Sequence, residues 1–121
     1  MFAGLLGAAG VALAAVAAHK VDDPALATAA QMLILQAAAA IAITGNMRRA
    51  HHPSPAVIRF WAIAAVMLLA GAALFAGDIS ARALAGTRLF PMAAPTGGST
   101  MIAGWIVVAI AGILELRSRA K

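Results

Sequence analysis

The stretch GDISARALAGTRLFPMAAPTGG, residues 77–98, is the longest interruption between apolar runs in this chain, and the number of membrane crossings turns on how it is read. It opens with an acid and a base four residues apart, Asp78 and Arg82, a spacing that puts both on one helix face with the acid leading. Gly86 follows, a suitable residue to end a helix. The stretch closes on Pro95-Thr96-Gly97-Gly98, which reads as the launch of a last helix with a polar first turn of Thr96, Ser99 and Thr100. Read this way, the segment is the end of one long helix, a loop and the start of another.

Outward from it lie four apolar runs: Phe2 to Ala18, Ala25 to Thr44, Phe60 to Gly77 and Met101 to Leu114. With flanking residues each reaches the roughly 17–25 residues that cross the hydrocarbon core. Lipid offers the backbone no hydrogen bonds, so such runs must be helices. Composition agrees, because only 11% of 121 residues are charged against 64% hydrophobic, too little charge to cover a soluble domain. The expected fold is all-α, an integral membrane four-helix bundle forming one domain, residues 1–121, with helices at about 2–18, 24–45, 55–85 and 95–117. Asp23-Pro24 and Ser54-Pro55 each read as an N-cap followed by Pro at the first helical position. Gly45-Asn46 reads as a stop for the second helix. Ala15-Val16-Ala17 has the small-residue pattern of a signal-peptidase site, but no positive stretch precedes it, so the first run is expected to be retained as a helix.

Charge sets the expected orientation. Arg48, Arg49, Arg59, Arg117, Arg119 and Lys121 fall on the side shared by both termini; Lys20, Arg82 and Arg88 fall on the other, among Asp22, Asp23 and Asp78. The positive-inside rule then places both termini in the cytoplasm of an inner-membrane protein. The formal charge of +5 is accounted for by these loops and the tail, so nucleic acid is not an expected partner.

Small residues dominate the expected contacts between helices. Gly4, Gly7 and Gly10 in the first helix, with Gly97, Gly98 and Gly104 in the fourth, suit close approach, either within the bundle or against another membrane subunit. Polar candidates inside the spans are Gln31 and Gln36, the latter near the midplane; an interhelical tie is the plain reading and a solute contact the sharper one. Asp78 and Arg82, with His19 on the same side, form a candidate charged cluster, most simply a helix-end ion pair. No ionisable residue is expected deep in a span. There is no cysteine, and His51-His52 lacks further ligands, so neither metal nor cofactor is expected. No nucleophile–base pair or phosphate loop occurs, and no catalytic residue is assigned.

Gly7-Ala8-Ala9-Gly10-Val11-Ala12-Leu13 with Ala18-His19, then Thr28-Ala29, Leu74-Phe75-x-Gly77 and Leu84-Ala85-x-Thr87, fall in order along the chain. Pro95-Thr96-Gly97-Gly98 and Ala103-Gly104-Trp105 follow. Together they resemble the small YgdD-like membrane proteins, a family catalogued as a domain of unknown function, with the Pro and Thr of its T-P-x-G-G signature in swapped order. The resemblance implies a four-helix inner-membrane protein and brings no established activity. It also implies divergence: the family's Tyr-Gln and His of helix two are replaced at Met32, Leu33 and Gln36, and its Ser-Gly-Ser segment at Ala76-Gly77-Asp78. The expected role is therefore a non-enzymatic accessory or scaffolding subunit of a larger membrane complex, in contact with lipid and partner subunits or a second copy. The alternative is a small solute or lipid transporter, possibly homodimeric, using Gln31, Gln36 or Asp78.

Overall fold

The computed structural model describes residues 1–20, 23–49 and 54–120. His51, His52, Asp22 and Lys121 lie outside the described residues. The helices are α1 (Phe2–His19), α2 (Pro24–Arg49), α3 (Pro55–Ala85) and α4 (Ala93–Arg119). All four are long and apolar enough to cross a bilayer, with mean hydropathy between 1.8 and 2.1 over their best windows. The chain is an all-α, four-helix membrane bundle.

The helix ends follow from local chemistry. Asp23 caps α2 through its carboxylate, which accepts from the Ala25 N–H at 2.8 Å, while Pro24 occupies the first turn, where no donor is needed. Ser54 caps α3 in the same way, its hydroxyl accepting from the Val57 N–H at 3.4 Å. Gly86 closes α3 with φ 66°, a left-handed conformation that glycine adopts without a Cβ penalty. Two boundaries differ from expectation. α2 runs through Gly45-Asn46 to Arg49, because Asn46 uses its side chain on another helix instead of ending its own. α4 starts at Ala93, so Pro95 sits inside the first turn, where its missing N–H costs nothing.

Consecutive helices pack side by side. α2 packs on α1 and α3, and α3 on α2 and α4, while α1 barely meets α3; among the described residues the α2 and α4 backbones do not come close, and the two helices meet through side chains such as Asn46 and Glu115. One core cluster gathers Leu26, Ala29, Leu33, Ala76, Ile79 and Met101, with Val16 and Ala17 from the end of α1. The other gathers Ala40, Ile43, Ala64 and Leu68, with Ala3 from the start of α1. The start of α1 thus shares an end of the bundle with the close of α2 and the opening of α3, an up-down-up-down order. α2 is the central element: 44% of its apolar window is buried against 6% for α1.

Glycine brings two of the crossings to backbone contact. A Cβ on Gly97 would lie 2.6 Å from the Phe75 nitrogen and 2.7 Å from the Gly71 oxygen, so α3 and α4 touch main chain to main chain. Gly104 is filled from α3 by Leu68, and Gly10 meets Ala30, Leu33 and Ile34 of α2. Gly7 makes an ordinary contact with Ala37, and Gly4 and Gly98 have nothing within 4 Å of a Cβ, so the expected packing role does not extend to those two inside this bundle.

Candidate functional site

Three polar groups are buried among the described residues: Asp78, Glu115 and Gln36. They sit at three levels of the bundle.

Asp78 lies about 12 Å from the middle of α3, close to the edge of a hydrocarbon layer whose half-thickness is about 15 Å. It is 3% exposed. Its Oδ2 pairs with the Arg82 guanidinium at 2.9 Å, and its Oδ1 accepts from the Leu89 N–H at 3.0 Å. The acid therefore holds both its own helix end and the connection to α4. Arg82 reaches outward and stays substantially exposed, which keeps the pair from being a fully desolvated ion pair. His19 is exposed at the end of α1 and makes no hydrogen bond or ion pair with the cluster.

Glu115 occupies the opposite end, near the close of α4, and is 8% exposed. Its Oε2 accepts from Asn46 Nδ2 of α2 at 3.2 Å and from Trp61 Nε1 of α3 at 3.1 Å. One carboxylate thus ties three helices together. Glu115 is buried from solvent but lies near the end of α4, at the edge of the span and not deep within it. Glu115 directly follows the apolar run ending at Leu114, and its donors come from residues far away in sequence. No sequence motif marks it; its only local signal is a lone acid beside an apolar run.

Gln36 is at mid-length in α2 and 5% exposed, and its Oε1 is buried without a hydrogen-bond partner. Gln31, by contrast, is exposed and forms no interhelical tie. Gln36 lines a cavity of about 560 Å³ between α2 and α4, with Met32, Leu35, Gly98, Met101 and Ile102. A second cavity of about 290 Å³ continues along the same gap toward Asn46 and Trp61. Ala39 and Trp105 line both, so they stand where the two meet. The result is a lateral groove, flanked by α2 and α4, with an unsatisfied carboxamide at mid-depth and the Glu115 donors at one end.

No group of three or more His, Asp or Glu side chains gathers among the described residues. Residues 13–98 match the model of a family described as protein of unknown function (DUF423). That span includes Gln36, Asp78 and Arg82 and ends before Trp105 and Glu115. No curated protein and no solved structure matches the chain.

Proposed function

The chain belongs to this DUF423 family, and we propose that it works without catalysis, as an accessory or scaffolding subunit of a larger membrane complex such as a respiratory or photosynthetic one. The observation that carries this reading is the outer face of α1. Gly4, Ala8, Ala12 and Ala15 recur there at spacings of four, four and three, and all are exposed. Small residues in such a row let another transmembrane helix come close, which is how helices associate where lipid supplies no hydrophobic drive. The buried carboxylates support it as well, since Asp78 and Glu115 both hold helices and loop in place.

The placement in an inner membrane with both termini cytoplasmic belongs to the same proposal. It rests on the excess of Lys and Arg at the end carrying the termini.

Extraction in a mild detergent, capture by a C-terminal tag and mass spectrometry test the role. The expected result is a stoichiometric set of membrane subunits, lost when Ala8 and Ala12 are both changed to Leu. A chain recovered alone or only with itself overturns the subunit reading. A second reading, a carrier of small apolar solutes or lipids, is favoured by one observation, the lateral groove between α2 and α4. Transport unchanged by Gln36→Ala would remove it.

A further inference from the structure

We propose that the groove between α2 and α4 binds a neutral lipid without a charged headgroup, a long-chain or isoprenoid alcohol whose hydroxyl pairs with Gln36. The inference goes beyond the subunit reading and does not depend on it.

Gln36 carries an unmet hydrogen bond. A carboxamide buried among apolar groups with no partner is costly, and the cost is larger at the midplane, where no water substitutes. Gln36 has its Oε1 in that condition, and the side chain borders the larger cavity. The side chain lines the groove, and a half-turn of its terminal amide exchanges Oε1 and Nε2, so a guest in the groove can supply the partner.

The shape of the groove narrows the occupant. A second copy presenting the same groove would oppose hollow to hollow and leave the amide unpaired. A straight helix needs a continuous trough, whereas here Ala39 and Trp105 stand between two chambers. A slim flexible chain can thread past them. The larger volume, about 560 Å³, falls in the range that holds small ligands, roughly 300–1,000 Å³, and the smaller, about 290 Å³, lies just below it.

Depth narrows it again. Gln36 lies about 18 Å along α2 from either helix end. A phospholipid's charged headgroup is anchored in the interface and cannot bring a donor to that level. A neutral molecule whose only polar group is a hydroxyl can. A hydroxyl both donates and accepts, so it serves either end of the carboxamide.

The test uses the full chain in phospholipid nanodiscs, with farnesol and the hydrocarbon farnesene as probes, and reads the thermal unfolding midpoint against probe concentration. Farnesol is expected to raise the midpoint saturably and at lower concentration than farnesene. In Gln36→Leu the advantage of the alcohol should vanish, a loss of about fivefold in apparent affinity for one hydrogen bond. Gly98→Leu, which projects into the larger cavity where a Cβ meets nothing within 4 Å, should abolish the response to both probes. Equal responses to alcohol and hydrocarbon in the unaltered chain overturn the proposal, as does discrimination that survives Gln36→Leu. A photoreactive residue at position 39 that captures a transmembrane helix, from another protein or from a second copy, instead of lipid also overturns it.

Discussion

Gly97→Ala tests whether α3 and α4 are held at backbone contact, and its neighbour supplies the control. The added methyl carbon would sit 2.6 Å from the Phe75 nitrogen, 2.7 Å from the Gly71 oxygen and 2.9 Å from the Phe75 Cα, all main-chain atoms that no rotamer change can move. Relief requires the helices to part by roughly 0.7 Å, and a gap of that size forfeits a quarter to a half of each dispersion contact along the crossing. Overpacking of this kind costs about 1–3 kcal/mol. Alanine's better helix propensity returns up to ~1 kcal/mol. Gly98→Ala receives the same propensity gain without a clash, since its Cβ meets nothing within 4 Å. The two variants should therefore differ by about 1–3 kcal/mol, with Gly97→Ala the less stable. Reversible unfolding in mixed micelles, followed by helical circular dichroism as the fraction of denaturing detergent rises, measures the difference. Equal midpoints for the two variants would refute the backbone contact.

Asp78→Ala should cost ~1.5–3 kcal/mol and loosen the α3–α4 connection, while Asp78→Asn, which keeps an acceptor for the Leu89 N–H, should lose less. The exposed Arg82 limits the damage because water takes up its charge. Tryptic cleavage after Arg88 reads the outcome, faster in Ala than in Asn. Glu115→Leu strands the Asn46 and Trp61 donors and should destabilise by ~2–4 kcal/mol, with Glu115→Gln closer to the original in the same unfolding assay. Because the chain has no cysteine, Ser118→Cys and Thr87→Cys give clean single sites. A membrane-impermeant maleimide applied to intact cells should label position 87 and spare position 118; the reverse pattern would invert the topology.

The helices themselves were legible because lipid leaves an apolar run little choice, and the caps at Asp23, Ser54 and Gly86 are chemistry carried by adjacent residues. What escaped reading depends on partners remote in sequence. Asn46 reads as a stop beside Gly45, yet the acid 69 residues further on engages it, and α2 continues. Glu115 carries no local mark for the same reason in reverse. Gln31 and Gln36 could not be separated by spacing alone; five residues turn about 140° around a helix, and only the placement of α3 and α4 decides which one is buried. The glycines of α1 recur every three residues, so each step falls back by about 60°. Gly10 meets α2 tightly, Gly7 loosely, and Gly4 has left the contact altogether.

The order in which the helices touch has a consequence for biosynthesis. Every extensive contact joins an element to the one made just before it, so a chain leaving the ribosome can dock each helix as it enters the bilayer, with short loops to close and no earlier span waiting for a distant mate. Glu115 is the exception. Made near the end, it reaches back to Asn46 and Trp61 together, and so serves as the latch that fastens only when the last helix has arrived.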